Sequence, residues 1–224
     1  SRKLKEISFP NKSRLKKIGS HAFAECPIRN ITIPSSVEYL GENVFCNCNK
    51  LESVNFQVQS KLTAIEKETF YNSTIKSLYI PSKVVKLKKR WCSQTPNLNN
   101  VIIDVYNTHF LDYNYNFILG KINLNYEDYE ILYFAKRDID IAEIPFYIKI
   151  IASFAFENCQ KLRKVVFSRI SQLKLIDISA FKNSSIINIK IPSSVKKICQ
   201  CAFQNTFQLR RVSFYNDSEL LSIG

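Results

Sequence analysis

The sequence contains no methionine, not even at position 1, and only four glycines, Gly19, Gly41, Gly120 and Gly224. The missing start residue predicts a piece of a longer chain, from which a leader or anchor could have been lost. So little glycine excludes the glycine-rich loops whose backbone N–H groups cradle phosphate. Histidine is limited to His21 and His109. There is no His-Glu-x-x-His pair and no nucleophile elbow. No apolar run approaches the roughly 18 residues of a membrane-spanning helix. The opening Ser1-Arg2-Lys3-Leu4-Lys5 has no apolar signal core. Nothing meets the first geometric requirements of an active site, so a non-enzymatic chain without cofactor is expected.

What is present is positive charge, +13 over 224 residues, with 46% of the chain hydrophobic. The length suffices for a sizeable core, as one globular domain or one repeat array. The charge favours anionic partners such as nucleic acid, acidic glycans or a membrane surface.

The chain repeats itself. Ile33-Pro34-Ser35-Ser36-Val37 recurs as Ile191-Pro192-Ser193-Ser194-Val195, with a close copy at Ile80-Pro81-Ser82-Lys83-Val84 and a looser one at Ile144–Ile148. A second signature, a small residue, Phe and then Cys, Ser or Thr three further on, appears as Ala22-Phe23…Cys26, Val44-Phe45…Cys48, Thr69-Phe70…Ser73, Ala155-Phe156…Cys159, Ala180-Phe181…Ser184 and Ala202-Phe203…Thr206. Aligned on these, units run over 4–27, 28–50, 51–74, 75–97, 139–161, 162–185 and 186–208, with a partial unit from 209 that suggests a neighbouring repeat. Each unit opens on an apolar-x-x-apolar-x-apolar run, such as Leu51-Val54-Phe56 or Ile186-Ile189-Ile191. Its last members alternate with polar residues at strand period. One such strand cannot bury its apolar side alone, but stacked units build a parallel sheet over a continuous core. The second half of each unit, for example Val37, Leu40, Val44 and Phe45, lines the opposite wall as short strand, helical turn or coil.

The pattern Ile-Pro-Ser-Ser-Val-x-x-Ile/Leu-Gly-x-x-Ala-Phe-x-x-Cys, fullest at 28–48 and 186–206, resembles the BspA-like leucine-rich repeats. It departs at Trp91-Cys92, which replace Ala-Phe, and at Cys199, which replaces Gly. The resemblance implies a single domain over 1–224: a β-rich right-handed superhelical solenoid with its parallel sheet on the concave face and turns or helical pieces on the convex side. It also implies a surface antigen or adhesin at the cell surface, binding host matrix proteins or other cells.

Residues 98–138 break the period. They begin with a repeat strand, Leu98-Val101-Ile103, followed by a Tyr- and Asn-rich stretch. Phe117–Leu119 and Ile131–Phe134 read as two strands joined through Asn123–Glu130, a β-hairpin bulging from the solenoid in place of one unit. The 104–138 insertion is either a binding element or a spacer that alters curvature.

Seven cysteines are present. Cys46-x-Cys48 and Cys199-x-Cys201 lack matching zinc partners. Cys26, Cys48 and Cys159 instead share a slot that elsewhere holds Ser73, Ser184 and Thr206. That slot calls for a small inward side chain, and no metal site is expected. A Cys26–Cys48 bridge is within rung spacing but strained. The preceding slot holds Asn47, Asn72, Gln94, Asn158, Asn183 and Asn205, amides expected to be buried and to satisfy turn backbone. Of the sequons at Asn11, Asn30, Asn72, Asn183 and Asn216, those at Asn72 and Asn183 should be shielded.

The polar strand positions point away from the core. Glu6, Ser8, Asn30, Thr32, Ser53, Asn55, Ser77 and Tyr79 make the first half of that face neutral-polar, with Tyr79 its one aromatic. The second half gathers Arg163, Lys164, Lys190, Arg210 and Arg211. These five, with Tyr79, are the candidate binding residues. The basic stripe suits a protein or acidic-glycan partner, a host matrix component in the adhesin reading, or else is a solvated face. An intracellular interaction scaffold is the alternative. Nucleic-acid binding stands third, because no aromatic interleaves the stripe and no nucleic-acid motif is present.

Overall fold

A computed structural model describes residues 3–123, 125 and 128–224. Every regular element among them is a β-strand, and the strands form two compact units, Ser1–Phe110 and Leu111–Gly224. Four-residue strands alternate with strands of two residues, one of each per repeat, as expected of stacked units that each contribute one rung.

In the first unit the long strands are β2 (Asn30–Ile33), β4 (Ser53–Phe56), β6 (Ser77–Ile80) and β8 (Asn100–Ile103). They pair in parallel in the order β2-β4-β6-β8. The short strands β1 (Lys17–Ile18) and β3 (Tyr39–Leu40) form one pair, and β5 (Ala64–Ile65) and β7 (Lys86–Leu87) another. In the second unit the long strands are β12 (Ile141–Ile144), β14 (Lys164–Phe167), β16 (Asn188–Ile191) and β18 (Arg211–Phe214), again parallel and in sequence order. Opposite them run the short strands β13 (Ile150–Ile151), β15 (Leu175–Ile176), β17 (Lys197–Ile198) and β19 (Ser222–Ile223).

The alternation read from sequence is the alternation of burial. Val54 and Phe56 face inward on β4 while Asn55 faces out; Ile189 and Ile191 do the same about Lys190 on β16. Rings at the Ala-Phe position stack from rung to rung. Phe23, Phe45 and Phe70 follow one another at 5.7 Å, and Phe156, Phe181 and Phe203 at 4.8 and 5.4 Å. Each ring buries a large apolar area and gains a contact from its neighbour, so the stack ties the rungs together.

Of the turns or helical pieces expected opposite the long strands, only turns and short strands occur: no helix is present among the described residues. Each repeat instead makes an arch of consecutive turns. In the first arch Ala22, Ala24 and Cys26 donate their N–H groups back three residues, to Gly19, His21 and Phe23. The alternate residues, His21, Phe23 and Glu25, donate to Glu42, Val44 and Cys46 of the next rung. The arch thereby satisfies its own backbone and the neighbour's at once, which removes any need for a helix. The geometry requires two left-handed residues four apart. They are His21 and Glu25, Asn43 and Asn47, Glu68 and Asn72, Arg90 and Gln94, Phe154 and Asn158, Ser179 and Asn183, and Cys201 and Asn205. Asn tolerates this conformation better than most residues, which explains why it dominates the second position.

The amide slot is thus a backbone requirement. Its side chains bond to one another rather than to the turn backbone: Asn72 Nδ2 to Asn47 Oδ1 at 2.8 Å, Asn183 Nδ2 to Asn158 Oδ1 at 3.0 Å, and Asn205 Nδ2 to Asn183 Oδ1 at 3.1 Å. Contrary to expectation, Asn72 is exposed and Asn183 half-buried, while Asn158 in the same left-handed slot is buried as expected. A buried amide that does satisfy turn backbone occurs at Asn107, whose Nδ2 donates to the carbonyls of Pro81 and Val84 at 2.9 and 3.0 Å.

Between Phe110 and Ala135 the regular arch is absent. β9 (Phe110–Tyr113), β10 (Phe117–Gly120) and β11 (Ile131–Ala135) take its place. β10 and β11 pair antiparallel, Phe117 opposite Ala135 and Gly120 opposite Ile131. β11 also pairs in parallel with β13, so the two strands extend the short-strand sheet of their unit in the order β19-β17-β15-β13-β11-β10-β9. Of the expected connecting segment 123–130, Leu124, Tyr126 and Glu127 lie outside the described residues.

Candidate functional site

The outward side chains of the second unit's long strands lie in rows set by the parallel register. Ile141, Lys164, Asn188 and Arg211 form one row, each a Cα partner of the next. Glu143 pairs with Val166, and Lys190 with Ser213, in the row beside it. Just before the strands, Asp140, Arg163, Ile187 and Arg210 follow one another, linked by the N–H groups of Arg163, Ile187 and Arg210 donating to the preceding rung. Rungs lie about 4.8 Å apart, so Lys164 and Arg211, two rungs apart, stand about 10 Å from each other.

Lys164, Lys190 and Arg211 therefore lie in the strand rows, with Arg163 and Arg210 just before them, and the five are not equivalent. Arg163 lies 3.7 Å from Asp140, an exposed pair. Such a pair contributes little to stability but offsets part of the charge. Lys190 places its Nζ 3.6 Å from the Tyr215 ring centroid, a cation–π contact that Tyr215 makes from beyond β18. Sequence reasoning did not single out Tyr215, since its role depends on a ring folding back over a neighbouring rung. Lys164, Arg210 and Arg211 are exposed and have no ion pair among the described residues. They form the uncompensated part of the stripe. Ile141, 51% exposed, adds an apolar neighbour to Lys164.

Tyr79 sits in the first unit, on a different sheet from the basic residues. It is half-buried, and its hydroxyl donates to Asp104 Oδ2 at 2.6 Å. Burial and this bond push its phenol up to about 12. The surrounding face is neutral: Asn30, Ser53, Ser77 and Asn100 lie in register, and Ser53 Oγ bonds Asn30 Oδ1 at 2.8 Å. Tyr79 thus serves as a strut between β6 and the turn after β8.

The model of the BspA type leucine rich repeat region matches residues 1–117 and 130–224 in six copies. The chain belongs to the BspA-type leucine-rich repeat family. Solved structures agree in fold. The pneumococcal vaccine antigen PcpA superposes with a TM-score of 0.82 at 24% identity, over 96% of this chain and 55% of that one, so the chain spans about half the antigen's length. A leucine-rich repeat protein from Eubacterium ventriosum superposes with a TM-score of 0.60 at 16% identity, over 93% of this chain and 76% of that one. A search of curated protein sequences finds no significant match.

In this BspA-type repeat the cysteines follow the slot logic. Cys26, Cys48 and Cys159 are buried, as are Ser73, Ser184 and Thr206 in the same slot. None of the seven cysteines is disulfide-bonded, so the Cys26–Cys48 bridge is not formed. Cys48 Sγ instead donates to the Phe23 carbonyl at 3.1 Å. Burial pushes the Cys48 thiol up to about 12 and the Cys159 thiol up to about 11. Those thiols are held protonated, unsuited to act as nucleophiles or metal ligands. Among the described residues no group of three His, Cys, Asp or Glu is placed to hold a metal ion.

Proposed function

We propose that this chain is a non-enzymatic binding module of a surface or extracellular repeat protein, engaging an anionic partner through the outward face of β12, β14, β16 and β18. The observation that carries this reading is the set of uncompensated cations, Lys164 on β14 and Arg210 and Arg211 at β18, held in register two rungs apart across Asn188. A rigid row of like charges at fixed spacing attracts an acidic protein surface or sulfated glycan and orients it along the rungs. Family membership and the fold shared with a pneumococcal vaccine antigen support a cell-surface setting, to which the reading adds an adhesive role. In this reading the chain is one continuous repeat domain coiling right-handedly, the long strands line its concave side, and 104–138 is a hairpin insertion in one repeat. Tyr79, bonded to Asp104, is left out of the binding set.

The test is binding of the chain to immobilised matrix proteins, sulfated glycans and nucleic acids at physiological salt, beside a variant carrying Lys164→Ser, Lys190→Ser, Arg210→Ser and Arg211→Ser. Selective retention on one matrix protein or glycan, lost in the variant, is the expected result. Equal retention on every polyanion, fading uniformly with salt, overturns it.

A further inference from the structure

A second surface of the same unit has the chemistry of a sugar site. On the arch side, Asn158, Asn183 and Asn205 run along three successive rungs. One residue past the small-residue slot, Gln160, Ser185 and Phe207 occupy equivalent positions on the same rungs. Between these two lines lies a depression of about 440 Å³. It continues, through shared walls at Gln160, Ser185 and Gln208, into a second of about 470 Å³ beside Arg163 and Asp140. The first depression is walled by amides and hydroxyls, the second also by Lys161, Ile187 and the Arg163–Asp140 pair, and Phe207 stands on the rim of the first, 88% exposed.

Three features select the ligand class. First, the depression between the two lines is walled by amide and hydroxyl side chains that supply donors and acceptors without net charge, while the charged groups, Lys161 and the Arg163–Asp140 pair, line only the adjoining one. That matches a ring of hydroxyls better than an ion. Second, a bare aromatic face beside polar groups can stack on the C–H face of a pyranose, and no packing role keeps Phe207 exposed. Third, the polar groups recur at the rung spacing of about 4.8 Å. That is close to the rise of one residue in an extended β-linked pyranose chain. The amide ladder leaves the Asn205 Oδ1 end open as an acceptor, since Asn205 spends its Nδ2 on Asn183. The equivalent line in the first unit, Asn49, Thr74 and Pro96, has no aromatic.

We infer that this trough binds an extended, uncharged β-linked oligosaccharide along the rungs, about three sugar units long, with Phe207 as the stacking platform and Asn158, Asn183, Asn205, Gln160 and Gln208 as its polar wall. The site shares none of the uncompensated cations of the proposed anionic face and stands independently of it.

The experiment is calorimetric titration of the whole chain, made unglycosylated in bacteria, with chitohexaose, cellohexaose and maltohexaose. Binding of at least one β-linked hexamer is expected, with the α-linked maltohexaose at least about tenfold weaker. Phe207→Ala should weaken it by about tenfold or more, a loss of one stacking contact. Asn183→Gly should also weaken it, and this variant keeps the left-handed backbone that Asn183 occupies at φ 56°. The Lys164→Ser/Arg211→Ser pair should leave it unchanged. No binding of either β-linked hexamer, or binding insensitive to Phe207→Ala in a variant with an unaltered circular dichroism spectrum, overturns the assignment. Loss of binding in the Lys164/Arg211 variant would move the sugar to the charged face and overturn it equally.

Discussion

The Arg137 guanidinium donates from Nη1 to the carbonyl of Ala155 at 2.9 Å, across a boundary where the regular arch is missing. In ordinary rungs a carbonyl at this point of the arch accepts an N–H from the arch before it: Phe23 donates to Val44, and Phe156 to Ala180. Ala135 donates its N–H to the same Ala155 carbonyl. Arg137 is itself 3% exposed and lies 4.5 Å from the Phe134 ring centroid and 3.9 Å from Cys159 Sγ. A buried cation thus fills space and supplies donors where the repeat has neither its aromatic nor its turn.

Arg137→Met should therefore lower the stability of the chain by about 2–3 kcal/mol, the scale of hydrogen bonds to a charged group. The measurement is the midpoint of urea unfolding followed by circular dichroism. A change below about 0.5 kcal/mol, the level of a neutral surface substitution, would show that Arg137 does no structural work here.

The left-handed residue at the end of each arch predicts an order of variants. Asn72 holds φ at 52° and donates to Asn47. Asn72→Ala should cost about 1–2 kcal/mol, because alanine keeps the strained Cβ but lacks the polar side chain that lets Asn tolerate that conformation. Asn72→Gly should cost less than half as much, since glycine relieves the strain while losing only an exposed hydrogen bond. Equal losses in thermal unfolding would mean the amide ladder, and not the backbone, sets the residue.

Alkaline pH tests Tyr79. Its phenol is up from the ordinary 10.0 to about 12 in the folded chain. Above pH 10 the unfolded chain releases that proton while the folded chain keeps it, so the unfolded state binds fewer protons. Stability is therefore whole below pH 10 and falls as pH climbs towards 12. Tyr79→Phe should flatten this part of the stability curve relative to the parent. Parallel curves for the two proteins between pH 9.5 and about 11.5 would count against a phenol raised by burial and the Asp104 bond.

Thiol chemistry should follow the arch. Cys201 is exposed and Cys48 and Cys159 are buried. A water-soluble disulfide reagent should label Cys201 within minutes and leave Cys48 and Cys159 intact until denaturant is added, when all seven react. Mass-spectrometric mapping that finds Cys48 labelled in the native protein would contradict the packing of its slot.

Much of this architecture was legible in the chain because repetition makes each rule testable several times over. Val54, Leu78, Ile189 and their equivalents alternate with polar neighbours, and that period alone places them inward. The shared slot of Cys26, Ser73 and Thr206 identified a small buried side chain without any knowledge of the turn. The amide slot was visible as a pattern but not as a cause. Nothing in Asn47 or Asn72 distinguishes an amide that bonds buried backbone from one that relieves a left-handed residue. The choice between turns and helical pieces opposite the long strands stayed open for the same reason. Consecutive turns and a short helix share local residue preferences, and the difference lies in whether alternate N–H groups find carbonyls on the next rung.

The order of the repeats, the facing of each strand and the small residues at the slots were determined by the sequence itself, because burial follows a period that a linear pattern records. The partners of individual charges were decided only by the tertiary structure. Arg163 meets Asp140, Lys190 meets the Tyr215 ring and Tyr79 meets Asp104, while Lys164, Arg210 and Arg211 stay uncompensated on their face. So was the trough beside Phe207, which draws its walls from three rungs more than 20 residues apart in the chain. Such contacts depend on the spacing and direction of neighbouring rungs, and a side chain's reach across them is not written in the residues beside it.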